Sequence, residues 1–330
     1  MELPAPLRAA VDRMLDGIAL ETLTKAGARL SDRYRREVRD GRLHIDDVLA
    51  AKAYLATRLP ATFAAVRAAL EMVADASPDF SPRTLIDAGS GPGTVLWAAA
   101  DCWDDLESAR MIEASDAIRD LGETLSTHAA VDVEWLKADV TLSLPSLAPA
   151  DLVTLSYVLD EVPQASIAPI VTQLWALTSH TLVIIEPGTT AGWQRILAAR
   201  RLLVEAGAHL VAPCPHAADC PIVTPDWCHF SRRVARSRVH RLAKQAEVPW
   251  EDEKYIFIAA SRHAAEPPAA RVLAPPRASS GVARLKLCRA DGTAREQTFS
   301  RRDGDVFKQA RRADWGDGLN LAEGDQTDGR

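Results

Sequence analysis

The sequence has no long apolar run. No stretch approaches the roughly 18 apolar residues that a membrane-crossing helix requires. The opening stretch MELPAPLRAAVDRMLDGIAL mixes acidic residues into an amphipathic pattern, which differs from a secretory signal. We therefore expect a protein that contacts no membrane and resides in the cytoplasm.

Cysteine is scarce, with five residues in a chain of 330. An odd number of cysteines favours free thiols or metal ligands over a disulfide framework. Excess positive charge is also absent. The formal net charge of −6 argues against a globally basic nucleic-acid binder, although it does not say where the charges lie. One segment without any acidic residue is locally basic and contains Arg232, Arg233, Arg236, Arg238, Arg241 and Lys244.

The apolar pattern divides the chain into regions. Residues 1–78 have a helical period, whereas short apolar strands alternate with helical stretches over residues 79–263. This alternation predicts an α/β domain with a mostly parallel, Rossmann-like sheet covered on both faces. Proline-rich residues 264–281 are interpreted as a linker, and residues 282–320 as a segment containing a small C-terminal β-hairpin. The remaining predicted regions are a cysteine-rich insertion at 211–250 and a tail at 321–330.

A glycine-rich loop follows the first predicted strand, in the order Asp87, Gly89, Gly91, Gly93. A dinucleotide-binding fingerprint would have a wider last spacing and no acid before the first glycine. The pattern resembles motif I of class I S-adenosylmethionine-dependent methyltransferases, where glycines let the backbone approach the cofactor. This resemblance implies a class I methyltransferase fold, in which the Asp87 carboxylate orients the loop or a water near the cofactor's amino group.

Two acidic residues end the next predicted strands. Glu113 is placed to accept both ribose hydroxyls, through charge-assisted bonds of about 1.5–3 kcal/mol. Asp139 is placed to accept a bond from the adenine amine, as the resemblance implies. The alternative is that both are ordinary solvated residues at strand ends. The glycine loop itself has the alternative of a plain tight turn.

The fourth strand ends in SYVLDEVP, and ligands of open parallel sheets bind beyond the carboxyl ends of the strands. The candidate substrate-pocket residues are therefore Tyr157, Asp160 and Glu161. Either acid is a candidate general base, but each is equally suited to cap the following helix. The sequence lacks the [DNS]-P-P-[FY] element of many nitrogen methyltransferases, so it identifies neither a target atom nor a catalytic residue.

Three cysteines, Cys214, Cys220 and Cys228, lie close together with the spacing C-x5-C-x7-C, and Cys288 follows the predicted linker. Four thiolates suit tetrahedral zinc or an iron-sulfur cluster, because both prefer soft sulfur donors. His216 and His229 are alternative zinc ligands or nearby donors. The competing interpretation is a set of buried free thiols, which is the interpretation favoured for Cys102.

Several stretches together resemble one family. They include YLATRLPATFAAVRAAL, VAPCPHAADCPI, DWCHFSRRVARSRVHRLAK and VARLKLCRADGTAR. They are similar to methyltransferase-like proteins associated with the mitochondrial ribosomal small subunit and to their bacterial relatives, over about residues 30–318. The resemblance implies a structural 4Fe-4S cluster on Cys214, Cys220, Cys228 and Cys288, with zinc as the alternative. It also implies a role in small-subunit assembly and binding of ribosomal RNA.

The basic segment is predicted to be a helix whose arginines contact RNA phosphates without sequence specificity. A solvated helix face is the alternative. Two functions remain open: methyl transfer from S-adenosylmethionine to ribosomal RNA, or a non-catalytic assembly factor that keeps the methyltransferase fold. A third possible function is that of a small-molecule methyltransferase with a zinc knuckle. The protein is expected to be a monomer off the ribosome.

Overall fold

A computed structural model describes residues 1–36, 43–244 and 247–320, so the predicted tail at 321–330 lies outside the described residues. The described helices are α1 (Ala5–Leu15), α2 (Leu20–Arg35), α3 (Val48–Thr57), α4 (Leu59–Ala76), α5 (Thr94–Ala100), α6 (Asp116–Ser126), α7 (Ile167–Ala176), α8 (Thr190–Glu205), α9 (Arg238–Ala243) and α10 (Gly304–Arg312). None of them combines the length and the apolarity that a membrane crossing requires.

The described strands form two sheets. The strands are β1 (Thr84–Ala88), β2 (Ser108–Ile112), β3 (Asp132–Leu136), β4 (Ala150–Ser156), β5 (Thr178–Pro187), β6 (His209–Ala212), β7 (Phe230–Ala235), β8 (Trp250–Ser261), β9 (Ala270–Val272), β10 (Arg277–Ala278), β11 (Val282–Arg289), β12 (Ala294–Ser300) and β13 (Gly318–Leu319). The larger sheet has the order β3-β2-β1-β4-β5-β8-β6, with β7 paired to β8.

The larger sheet confirms the predicted doubly wound α/β architecture. Strands β1 to β5 run parallel, and β8 runs antiparallel to β5. The 3-2-1-4-5 order is that of a Rossmann-like sheet, which places ligands beyond the carboxyl ends of its strands. The central strands are buried on both faces, which explains their nearly continuous apolar sequences.

The N-terminal helices lie against the body of the sheet domain. Helix α4 packs on β6, β7 and β8, whereas α2 and α3 contact α9, and α3 also contacts α6. Asp47 caps α3 by accepting a hydrogen bond from the Ala50 amide at 2.7 Å. Pro60 lies in the first turn of α4, where its missing N–H leaves no helical bond unmade. The turn between α3 and α4 therefore has a fixed position, and Arg58 lies in it.

The smaller sheet corrects the predicted linker. Residues 264–281 contain β9 and β10, which pair with β11, and Ala270 and Val272 on β9 are fully buried. Prolines flank this short stretch and obscured its strand character. Strands β11 and β12 form an antiparallel hairpin around Gly292, whose φ is 82°. Helix α10 packs on the hairpin through Phe307, which completes a second small core.

The smaller sheet is attached to the cysteine-rich insertion by buried polar contacts. Arg271 is 5% exposed; its Nε donates to the Pro213 carbonyl of the insertion, and its Nη1 donates to the Gly316 carbonyl within its own C-terminal segment, each at 2.9 Å. The Trp315 indole donates to the His229 carbonyl at 3.1 Å. The Arg271–Pro213 and Trp315–His229 bonds join the C-terminal segment directly to the insertion, so both contribute to holding the two parts together.

Candidate functional site

A cavity of about 1140 Å³ opens at the carboxyl ends of the parallel strands. Its walls come from the glycine loop, from the ends of β2, β3 and β4, and from helices α2 and α3. The predicted site residues that line it are Gly89, Gly91, Glu113, Asp139, Tyr157, Asp160, Glu161, Arg236 and Lys244. Residues from distant parts of the sequence therefore meet in one concave site of the kind that binds small molecules.

The glycine loop needs its glycines for two different reasons. Gly89, Gly91 and Gly93 have φ values of 66°, 54° and 82°, in the left-handed region that favours glycine. A Cβ at Gly89 would lie 2.4 Å from Cγ2 of Val158, whereas a Cβ at Gly91 would meet nothing closer than 4.0 Å. Gly89 is thus required by packing, and Gly91 keeps the cavity wall open.

Glu113 joins the glycine loop to the start of α6. Its Oε2 accepts a hydrogen bond from the Gly91 amide at 2.8 Å, and its Oε1 accepts one from the Ser115 amide at 2.8 Å. Burial raises the pKa of Glu113, while these backbone donors act against the rise. Each carboxylate oxygen can accept a second bond, so a ligand hydroxyl can share the same carboxylate.

The Asp87 carboxylate, predicted to orient the loop or a water, makes no hydrogen bond to the glycine loop among the described residues. Its carboxylate is 1% exposed and is absent from the cavity wall; Oδ1 accepts a bond from the Thr154 hydroxyl at 2.7 Å. Oδ2 has no hydrogen-bond partner within the described ranges. Burial raises the pKa of Asp87 to about 8. The loop is held instead by Glu113 and by Ser90, whose hydroxyl donates to the carbonyls of Asp87 and Ile112.

The other wall of the cavity is acidic. Burial, then the neighbouring Asp160 and Glu113, raise the pKa of Glu161 to about 8. His44 lies 3.7 Å from Glu161. Asp139 accepts two bonds from Thr141, from its amide at 2.8 Å and its hydroxyl at 2.7 Å. These two bonds fix Asp139 at the rim of the cavity.

Sequence reasoning missed Arg58 and Glu253, which line the cavity beside the predicted pocket residue Tyr157. Arg58 lies between α3 and α4, Glu253 lies on β8, and the two form an ion pair at 3.2 Å. Tyr157 has a φ of 59°, which is unusual for a residue with a side chain. Its hydroxyl donates to Glu253 at 3.4 Å. No sequence pattern pairs residues so far apart in the chain, because only the fold brings them together.

The four predicted cysteine ligands influence one another. Burial, then the nearby Cys214, Cys220 and Cys288, raise the pKa of Cys228. Burial, then Cys214 and Cys220, raise that of Cys288 to about 12. Cys288 Sγ also lies 3.4 Å from Nε2 of His216. The fold thus brings Cys288 to the cysteine-rich insertion.

The chemistry of these donors fits a thiophilic metal group, because thiolates prefer soft metal centres. Across residues 1–36, 43–244 and 247–320, no three His, Cys, Asp or Glu side chains are arranged to hold a metal ion. Cys288 thus lies beside the insertion without a preformed metal geometry in these ranges.

The predicted helix over the basic segment is wrong. Arg232 and Arg233 lie on β7, and only the residues from Arg238 onward form α9. Strand β7 pairs with the acidic start of β8, so Arg233 binds Asp252 at 2.9 Å. Arg232 binds Glu71 at 3.3 Å. The acids that neutralise these bases, Glu71 and Asp252, lie outside the basic segment, one before it and one after it.

The rest of the basic segment divides into paired and exposed residues. Glu251 accepts bonds from Arg236 and Lys244, each at 2.9 Å. Burial opposes ionisation of Glu251, but bonds from His240 and Lys244 lower its pKa. Arg238 and Arg241 are exposed on or beside α9 and form no ion pair in the described part of the chain. These two residues are the segment's available cations.

The chain is similar to a protein family and to several known proteins. A family model described as "Mitochondrial small ribosomal subunit Rsm22" matches residues 48–320. The human ribosome assembly protein METTL17, mitochondrial, is 30% identical over 283 residues, which cover 80% of this chain and 61% of that protein. The Rsm22-cox11 tandem protein 2, mitochondrial, of Schizosaccharomyces pombe is 25% identical over 217 residues, covering 58% of this chain and 28% of that protein.

A solved structure with a similar fold is the magnesium protoporphyrin IX methyltransferase of Synechocystis PCC 6803 with bound SAM. The TM-score is 0.42 at 14% identity, over 71% of this chain and 91% of that one. This chain spans about three fifths of the length of METTL17 and under a third of the yeast protein.

The predicted cytoplasmic location is wrong, because the matching family model and both curated relatives are described as mitochondrial. The prediction rested on the lack of an apolar signal, whereas mitochondrial transit peptides are amphipathic and arginine-rich. The predicted family and the predicted class I methyltransferase fold are both confirmed. The match over residues 48–320, together with 30% identity to METTL17, establishes that the chain belongs to the Rsm22 family.

Proposed function

We propose that this chain binds S-adenosylmethionine in the cavity and acts on the small ribosomal subunit during its assembly, by methyl transfer to ribosomal RNA. The family model and METTL17 support the ribosomal part through their printed descriptions. Glu113 and Asp139, which both line the cavity, support the cofactor part, because the cofactor carries ribose hydroxyls and an adenine amine that such side chains can bind.

The observation that carries the cofactor proposal is the position of Glu113. Its carboxylate is fixed by the amides of Gly91 and Ser115 and lines the cavity beside the glycine loop. A prepositioned carboxylate binds ligand hydroxyls with little further loss of side-chain entropy. Asp139 follows β3, on the side of Glu113 away from the glycine loop, and we propose that it accepts a hydrogen bond from the adenine amine.

The cofactor would supply a methyl group activated by a sulfonium. The chain would supply a cavity that excludes water and holds the nucleophile in line with that methyl group. Tyr157, Asp160 and Glu161 line the cavity and are the residues we propose to contact the substrate. No residue is assigned as the catalytic base.

We further propose that Cys214, Cys220, Cys228 and Cys288 hold a structural 4Fe-4S cluster, with zinc as the alternative. The supporting observation is that Cys288 on the hairpin lies against the insertion that carries the other three thiols, with its Sγ 3.4 Å from Nε2 of His216. Such a group would reinforce the interface that Arg271 and Trp315 already form. Exposed Arg238 and Arg241 are the proposed contacts to RNA phosphates.

The second candidate is a non-catalytic assembly factor, favoured by the lack of a target-atom motif. Transfer of a labelled methyl group from S-adenosylmethionine to small-subunit RNA or its precursors separates the two. Label in the RNA that is lost in a Glu113→Gln variant supports the enzyme. Cofactor binding without transfer to any subunit or precursor supports the assembly factor.

A further inference from the structure

A group of polar residues on the cavity wall is not used by the cofactor proposal. Arg58 Nη2 donates to Glu253 Oε1 at 3.2 Å, and the Tyr157 hydroxyl donates to the same oxygen at 3.4 Å. Tyr54 also lines the cavity, with its hydroxyl donating to Thr62 at 3.3 Å. These residues come from α3, the α3–α4 turn, the end of β4, and β8.

Stability does not account for this group. The side chains of Arg58 and Glu253 are 24% and 15% exposed, and a largely buried ion pair contributes little net stability because both ions lose water. The positive φ of Tyr157 costs on the order of 1–3 kcal/mol, and strain of this kind concentrates at ligand sites. Two costly features side by side on a cavity wall point to a bound molecule.

The cavity has room for a second molecule. Its volume of about 1140 Å³ exceeds the range of about 300–1,000 Å³ for a pocket that holds one small ligand. The inference therefore rests on the proposed function, in which one cofactor molecule occupies the glycine-loop side and Glu113. The Arg58–Glu253 side then remains available to a substrate.

The available donors and acceptors define the ligand's chemistry. Glu253 Oε2, and the Nε and Nη1 atoms of Arg58, have no hydrogen-bond partner in the described part of the chain. The pair thus offers donors and an acceptor next to one another. Tyr54 and Tyr157 offer ring faces, since neither ring contacts another aromatic ring of the described residues. A nucleobase has a matching edge of adjacent donors and acceptors and two flat faces for stacking.

A basic residue on the same wall favours a nucleotide over a free base. Lys254 lines the cavity and is exposed, whereas the neighbouring Arg236 and Lys244 are already paired with Glu251. Phosphate groups bind such side chains without base specificity. We infer that the Arg58–Glu253 pair, with Tyr54 and Tyr157, binds the base of an RNA nucleotide beside the cofactor.

The test uses the full chain saturated with S-adenosylhomocysteine, so that the adenine part of the cofactor site is filled. That first titration tests the proposed cofactor site alone. The four ribonucleoside 5′-monophosphates are then titrated separately by calorimetry, with inorganic phosphate and benzoate as further probes. We expect at least one nucleotide to bind, and to bind more tightly than phosphate or benzoate.

Two variants assign the binding to the pair. Glu253→Gln keeps the side-chain shape but replaces an acceptor with a donor, so it should weaken the preferred nucleotide about tenfold, equivalent to about 1.4 kcal/mol, or change which base is preferred. Arg58→Met should also weaken it, whereas Arg83→Met, at an exposed pair with Glu107, should not. S-Adenosylhomocysteine affinity should stay unchanged in all three. The inference is overturned if no nucleotide binds the saturated protein, if phosphate or benzoate binds equally well, or if Glu253→Gln binds all four nucleotides as the parent does.

Discussion

The Oε2 atom of Glu113 accepts a hydrogen bond from the Gly91 amide at 2.8 Å. The residues are 22 positions apart and follow the ends of the neighbouring parallel strands β1 and β2, which the sheet places side by side. The carboxylate therefore both shapes the glycine loop and faces the cavity. This double position is the strongest indication of a cofactor site in the molecule.

We expect Glu113→Gln to weaken binding of S-adenosylhomocysteine by about 10–100-fold, because charge-assisted bonds contribute about 1.5–3 kcal/mol each. The measurement is calorimetric titration of the parent and the variant. Glu134→Gln, at an exposed position on β3, is the matched control and should bind normally. Equal affinity in parent and Glu113→Gln would show that this carboxylate does not hold the ligand.

The cysteine proposal predicts a difference between two conservative substitutions. Cys288→Ser should lose iron and acid-labile sulfide and the visible colour of the purified protein. Cys102→Ser should retain them, because Cys102 follows α5 and is not among the four proposed ligands. Iron and sulfide analysis of anaerobically purified protein provides the measurement. Zinc without sulfide in the parent would replace the cluster with the zinc alternative, and an unchanged Cys288→Ser would remove this residue from the ligand set.

The exposed arginines of the basic segment should affect RNA binding differently from the paired ones. Arg238→Ala with Arg241→Ala should lower affinity for small-subunit RNA and reduce the slope of log K against log salt by about 1–2, since each phosphate contact releases counterions. Thermal stability should be nearly unchanged. Filter binding over a salt series gives the slope, and an unchanged slope would exclude both residues from the RNA contact.

Arg236→Ala is the contrasting substitution, because Arg236 belongs to the same basic segment but is paired with an acid. It removes a partner of the partly buried Glu251, so it should lower the unfolding temperature.

The raised pKa of Glu161 predicts that the stability of the protein depends on pH. Its pKa rises from 4.5 to about 8 on folding, mainly because the group is buried. As the pH rises, the carboxyl therefore loses its proton in the unfolded chain before it does so in the folded chain. The stability that protonated Glu161 contributes is complete below pH 4.5 and is lost as the pH rises to 8. Each pH unit within this window costs up to about 1.4 kcal/mol.

The Glu161→Gln variant tests this sign. It should gain stability relative to the parent when urea unfolding is moved from pH 5 to pH 8, because the amide does not ionise. Glu296→Gln, on the exposed side of β12, is the control and should show no such gain. A parent and a Glu161→Gln variant with parallel pH profiles would contradict the raised pKa.

The sequence was most informative where chemistry is local. Strands β1, β4 and β5 are buried on both faces and so appear as apolar runs, and the glycines at 89, 91 and 93 are needed by a single loop. The cysteine group was also visible, because three of its members are close in sequence. Its fourth member could be joined to them only through the family resemblance.

Features that depend on pairing between distant segments were missed. The basic residues of β7 appeared unopposed until β8 placed Glu251 and Asp252 against them. Strand β9 is three residues long and gains its stability from β11 and β13 on either side. Arg58 and Glu253 are 195 residues apart, and their contact depends on the helices lying over the strand ends.

The central claim is that the cavity holds S-adenosylmethionine against the glycine loop. Equilibrium dialysis with the labelled cofactor measures this directly in the parent and in Gly91→Ala, where a Cβ would have room within the protein but would force an alanine into a φ of 54°. We predict saturable binding of one cofactor per chain, weakened at least about tenfold by the substitution, equivalent to about 1.4 kcal/mol. A folded parent that shows no saturable binding would contradict the account.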